Sequence, residues 1–288
     1  MENVKASAPA GGMHQQKQIA KTIFILIGIV LGVIFLFPIL ILILNSFKNQ
    51  KGIFLNILGF PLGDIFCGTN YLKAFELLDY VQSFMNSLVI TVVATVLILL
   101  VSAMAAWVLV RYKTKASAAI FILFAASMLV PFQCVMLPLV RLSSMLSLLN
   151  RPGLIFMYIG FGCSMSIVMF HGFIKNIPEE LEEAATLDGC NSLQLFFIIV
   201  VPMLRTVMIT VAILNVMWIW NDFLLPSLII NKPGWQTLPL KIYLFFGQFS
   251  KRWDFASAGL MLCIIPIVIF YLACQKYIVK GVTEGAIK

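Results

Sequence analysis

Asn176-Ile177-Pro178-Glu179-Glu180-Leu181-Glu182-Glu183-Ala184-Ala185-Thr186-Leu187-Asp188-Gly189 is the most acidic stretch of an otherwise strongly apolar chain. It reads as a short helix with both ends written in. Pro178 suits the first turn, where a missing N–H costs nothing. Glu179 and Glu180 lie where the helix dipole favours negative charge. Gly189 suits a left-handed stop. Leu181, Ala184, Ala185 and Asp188 follow i, i+3, i+4, i+7 and share a face. That face is narrow and small-sided, so a partner's backbone or groove can approach closely. A second helix is predicted to follow. Asn191 is a good N-cap, Gln194 stands three residues on as in a capping box, and Phe196, Phe197, Ile198 and Val201 lead to Pro202. The segment is therefore two short helices broken at Gly189–Cys190, a docking surface inside a hydrophobic protein.

Working outward, the chain around this segment is membrane-like. Of 288 residues, 61% are hydrophobic and 11% charged, against about 25% charged in a soluble domain. Mean hydropathy is +1.01. The formal charge of +8 is spread thinly, with no dense basic block, which argues against nucleic-acid binding. Long continuous apolar runs exclude a membrane barrel, whose strands alternate. Six segments are predicted to span: Ile23–Leu44, Phe84–Val110, Ala116–Val140, Pro152–Phe170, a fifth from about Met203 to Pro226, and Phe255–Gln275. The fold class is an all-α polytopic membrane protein. Its expected parts are a flexible tail over 1–22, a six-span domain over 23–280 with the acidic loop at about 175–202, and a second tail over 281–288. The first apolar run is too long for a signal peptide and is read as a retained span.

Orientation follows from Lys and Arg. With both termini inside, eleven lie inside and nine outside. The sharper sign is the short loop Arg111–Lys115, with three positive charges in five residues. This places Asn45–Ser83, Arg141–Arg151 and Ser227–Asp254 outside and Lys175–Arg205 inside, with the N- and C-termini cytoplasmic.

Chemistry of its own is sparse. Cys134, Cys163, Cys263 and Cys274 sit in apolar runs, where cysteine acts as a small hydrophobe. Cys67 and Cys190 lie far apart, so neither a disulfide framework nor a metal site is indicated. No G-x-x-x-x-G-K-[ST] phosphate loop is present. No carboxylate stands in the middle of a clearly apolar span, as a proton- or sodium-coupled carrier usually requires. Only His14 and His171 exist, too few for a clustered membrane-enzyme site. No catalytic residue, metal or cofactor is implied.

The pattern Glu183-Ala184-Ala185, then Asp188-Gly189, then Phe196-x-x-Ile199-x-x-Pro202 resembles the cytoplasmic signature of ABC importer permeases. The likeness extends through Asn86-Ser87, Ala105-Ala106-Trp107 to Arg111, Met128, Pro131, Gln133 and Pro138, Trp220-Asn221-Asp222-Phe223, and the tail from Gln275 to Lys288. Together these resemble the carbohydrate branch, the MalG-like permeases of the binding-protein-dependent inner-membrane component family. The resemblance implies a non-catalytic subunit in a bacterial or archaeal cytoplasmic membrane. It pairs with a second, related permease as a heterodimer. It is driven by two ATPase subunits and fed by an extracytoplasmic solute-binding protein. Glu183, Ala184, Ala185, Asp188 and Gly189 then form the coupling helix between spans four and five. Thr283, Glu284 and Gly285 are candidate tail contacts to the ATPases.

Polar groups near the spans carry two readings. Asn86, Gln133, Asn221 and Asp222 are candidates for the solute path. Asn86, Gln133, Asn215 and Asn221 are equally explained as interhelical hydrogen bonds, worth roughly 0.6–2 kcal/mol each, and that structural reading weighs more. Asp222, beside Trp218 and Trp220, is either an interfacial anchor or a gating residue. Arg205 either reaches lipid phosphates or pairs with the acidic loop. Gly28 and Gly32 suit close helix packing. Competing functions are an ABC permease for another solute class, and, further off, an independent secondary transporter.

Overall fold

The computed structural model describes residues 10–230, 232–246 and 251–286. Two long helices form the centre. The first is α4 (Tyr80–Arg111), 32 residues and so about 48 Å long. The other is α7 (Arg151–Ile174). Their contact works because the facing surfaces are small. Ser83, Ser87, Thr91, Ala94, Thr95, Ile98, Ser102 and Ala106 form a buried stripe along α4. Small residues let membrane helices approach closely where apolar burial gives no net drive. Gly162 of α7 is one point of close approach. A Cβ there would lie 2.5 Å from Ile98 Cδ1 and 2.9 Å from Asn215 Oδ1.

Around this pair stand α1 (Ala10–Ser46), α5 (Lys115–Ser127), α6 (Phe132–Met145), α10 (Arg205–Asn221) and α13 (Trp253–Ala286). Short helices cap the two ends: α2 (Gln50–Leu55), α3 (Asn70–Leu77), α8 (Glu179–Leu187), α9 (Ser192–Met203), α11 (Leu224–Ile229) and α12 (Leu238–Ile242). Among the described residues no β-strand occurs, only two isolated bridges. The all-α membrane reading therefore holds.

Span geometry departs from the sequence expectation in two places. Four helices are long and apolar enough to cross a membrane, and six only if each of two bent pairs is one span. The run Ala116–Val140 is not one helix: α5 and α6 meet at 103°. Pro131 lacks an N–H and pushes Val130 out of the α region, so the helix stops ahead of it. Pro138 is accommodated inside α6. The fifth run breaks at Leu204, where α9 and α10 meet at 80°, and its straight part is Arg205–Asn221 rather than Met203–Pro226.

Helix α1 starts at Ala10, inside the stretch read from sequence as a flexible tail. Gln15, Gln16, Lys17, Gln18 and Ala20 are good helix formers and outweigh Gly11 and Gly12. The most apolar window of α1 has none of its residues buried. Among the described residues no side chain or other helix comes within 4 Å of a Cβ added at Gly28 or Gly32, so the packing expected of them is not made there. At its far end α1 is anchored: Ser46 Oγ lies 2.8 Å from the Tyr71 hydroxyl.

Candidate functional site

The acidic segment folds as its caps dictate. Pro178 precedes the first residue of α8, one position earlier than expected. Gly189 takes φ +89°. The Gly189 N–H reaches the Thr186 carbonyl and the Cys190 N–H reaches the Ala185 carbonyl, both at 3.0 Å. This is the Schellman stop, which needs a left-handed residue and so favours glycine. Asn191 then opens α9 with a complete capping box to Gln194, at 2.9 Å in each direction.

The helix is clamped to the end of α4. Arg111 Nε and Nη2 donate to Glu182 Oε1 at 2.9 and 2.6 Å. Trp107 Nε1 donates to Glu182 Oε2 at 2.9 Å. Arg111 Nη2 also donates to the Ile177 carbonyl at 3.1 Å. The Arg111 and Glu182 side chains are only 13% and 10% exposed. Removing one member of such a pair leaves a buried charge uncompensated, at a cost of about 3–5 kcal/mol. A looser, exposed layer lies outside it. Lys113 Nζ meets Glu179 Oε1 at 2.8 Å, and Arg111 Nη1 approaches the same oxygen at 3.8 Å. The hydrogen bond and charge of Lys113 hold the Glu179 carboxyl below its ordinary value.

This clamp sets which side of α8 faces outward, and it corrects the sequence reading. Glu182 and Ala185 turn inward and are buried. Ala185 is therefore not on the presented face with Leu181, Ala184 and Asp188. That face holds Glu183, Ala184, Asp188, Gly189 and the two leucines Leu181 and Leu187, the latter 89% exposed. Sequence reasoning missed Glu182, Arg111 and Trp107 as a unit. The signal was present as a basic run, Arg111–Lys115, facing an acidic one, but the basic run served only to orient the chain.

The candidate path residues are not brought together. Asn86 is buried and donates to the Gly234 and Gln236 carbonyls at 3.1 and 3.0 Å. Gln133 and Asn221 are exposed, and Asn221 bonds its own helix at Met217 O, 2.7 Å. Asp222 accepts from Tyr158 Oη at 2.9 Å and from the Leu224 N–H at 3.0 Å, which ties α10 to α7. Asn215 bridges to Ser166 Oγ at 3.1 Å. Asn86, Asn215 and Asp222 thus act as structural ties. A cavity of about 920 Å³ opens in the elbow of α5 and α6, with Ser127, Ser164 and Trp218 on its wall, and none of the four candidates lines it. His171 is buried and stacked on Phe121, with ring centroids 3.9 Å apart. Arg205 is exposed and pairs with no acidic side chain among the described residues. Thr283, Glu284 and Gly285 lie in the last turns of α13, and their side chains are outside the described residues.

At the end opposite α8, residues 232–242 fold back onto α4 and α7. The Gly234 carbonyl accepts from Gln82 at 3.0 Å, Asn86 at 3.1 Å and Arg151 at 2.6 Å. Ser87 Oγ accepts the Leu238 N–H at 2.8 Å, and Lys241 pairs with Asp79 at 2.5 Å.

Comparison with known proteins decides the family. The family described as binding-protein-dependent transport system inner membrane component matches residues 98–284, which include the whole of α8 and its clamp. The chain belongs to this family of transport permeases. The permease is 42% identical to the probable starch degradation products transport system permease protein AmyC of Thermoanaerobacterium thermosulfurigenes, over 94% of this chain and 98% of that protein. It is 35% identical to the multiple sugar-binding transport system permease protein MsmG of Streptococcus mutans, over 89% and 93%. A bacterial ABC transporter that imports the acidic polysaccharide alginate shares its fold, with a TM-score of 0.74 at 21% identity, covering 95% of the permease and 99% of that chain.

Proposed function

We propose that this permease forms half of the translocation path of an ATP-driven sugar importer and converts closure of ATPase subunits into alternating access. The observation that carries this is α8. It is a helix clamped by hydrogen bonds at one end of a membrane bundle, and its free face shows Leu187 and Ala184 between Glu183 and Asp188. An apolar knob rimmed by acid suits insertion into a cleft of a soluble partner with basic walls. Glu183, Ala184, Asp188 and Gly189 are the contact residues in this reading, and Ala185 supports them from behind. Hydrolysis of ATP is assigned to two partner subunits, since the sequence carries no phosphate loop. A second, related permease completes the path and covers the bare α1. An extracytoplasmic binding protein delivers solute to the end that carries residues 232–242. The names of the two relatives support sugar as the solute class. Both termini and α8 are cytoplasmic in this scheme, following the positive charges of Arg111–Lys115. Residues 283–285 are a further candidate contact to the ATPases.

The test is a mild-detergent pull-down of the tagged chain from its native host, followed by mass spectrometry. The expected result is a second multi-span permease together with an ATPase that bears a phosphate loop. Recovery of the chain alone, as a stable homo-oligomer, would sink the proposal and reduce α8 to a solvated connector.

A further inference from the structure

Helix α8 has weak covalent anchors. Towards α7 it is joined by Lys175–Pro178, and towards α9 by the left-handed Gly189 and Cys190. Both joints are places where a short helix can hinge. What opposes hinging is the clamp, and its chemistry is directional. A guanidinium gripping one carboxylate oxygen through two N–H groups fixes orientation as well as distance. The indole N–H of Trp107, one turn before Arg111, holds the other oxygen. An apolar contact of the same area would let α8 slide along α4. The Ile177 carbonyl, held by the same guanidinium, fixes the lead into α8 as well. At its far end α4 holds residues 234–241 through Asn86, Ser87 and Asp79. One continuous helix therefore links α8 to the opposite face.

We propose that Arg111 and Glu182 are positioning residues that make α8 and α4 one rigid body, so that a push on α8 is delivered along α4 to residues 232–242. This rests on the reading of α8 as the ATPase contact and adds the route by which force leaves it. Trp107 belongs to the same device.

The experiment uses the complete importer, with its partner permease, ATPase subunits and binding protein, in proteoliposomes. The readout is solute accumulated per ATP hydrolysed. Arg111→Gln keeps the approximate length of the stem and removes the charge. ATP hydrolysis is expected to continue while the ratio falls about fivefold to tenfold, the size of coupling changes typical of such links. An assembled Arg111→Gln importer with the wild-type ratio overturns the proposal. If that variant does not accumulate, spin labels decide in the otherwise wild-type importer, after replacement of its six cysteines. Labels replace Tyr112, 66% exposed, and Thr186, which is exposed on α8 but lies off the face that carries Leu187 and Ala184. An unchanged distance between nucleotide-free and ATP-trapped states supports the rigid body, and a shifted distance overturns it. Failure of the ATPase subunits to co-purify with the wild-type chain would instead remove the underlying reading, so the two failures are distinct.

Discussion

Gly189 shows how one residue's backbone decides a surface. Its φ of +89° lies where an L side chain is strained, yet an added Cβ would meet nothing within 4 Å. The cost of substitution is thus conformational and not steric, about 1–2 kcal/mol. Gly189→Val is expected to fray the end of α8 and lower transport per ATP, while Gly189→Asn, which tolerates the left-handed region, keeps most of it. Equal coupling ratios for the two variants would refute this. The position was legible in the sequence because a glycine after an acidic amphipathic turn has few other uses. Glu182 was not legible in the same way. Four glutamates crowd Glu179–Glu183, and nothing local says which one turns inward. That choice is made by Arg111, about seventy positions earlier, and pairings over such separations leave no periodic trace.

Among the elements, α8 is held in two layers that differ in exposure. The inner layer, Glu182 with Arg111 and Trp107, is shielded. The outer layer, Glu179 with Lys113, is exposed and worth little, and it titrates visibly. A carboxyl whose folded value is lowered contributes above its unfolded value and loses that contribution as pH falls through the lowered one. The Lys113–Glu179 tie is therefore intact at neutral pH and fades only in acid below the ordinary value of 4.5. Hydrogen exchange of α8 amides, corrected for intrinsic rates, should show a step there that Glu179→Gln abolishes. A step of the same size in both proteins would refute the assignment. The broken runs teach a related lesson about reading elements. Hydropathy sees α5 and α6 as one stretch because both are apolar, and it is blind to Pro131. A proline is absorbed only where neighbours satisfy the freed carbonyls. In the described chain the third run has α7 on one side and an open cavity in its elbow, and it bends.

For the whole molecule, the sidedness assigned to the permease can be read with two native cysteines. Cys67 lies at the end opposite α8 and Cys190 directly after α8, and both are partly exposed. In intact cells expressing single-cysteine versions, a membrane-impermeant maleimide should label Cys67 and spare Cys190 until the membrane is opened. The reverse pattern would invert the topology. At this scale the sequence carried most of the fold, since length and hydropathy suffice to mark out the apolar helices. The solute route was not readable, because an amide near a span can serve packing as well as a path: Asn215 ties α10 to α7, and Asn86 ties α4 to residues 234–236. The joint at Gly234 has a consequence for how this protein tolerates mutation. One oxygen with two lone pairs receives three donors, from two helices. Losing Gln82 alone frees the remaining two to align better. The joint is redundant towards Gln82, so loss of that donor stays silent in a single variant and surfaces only when a second donor goes.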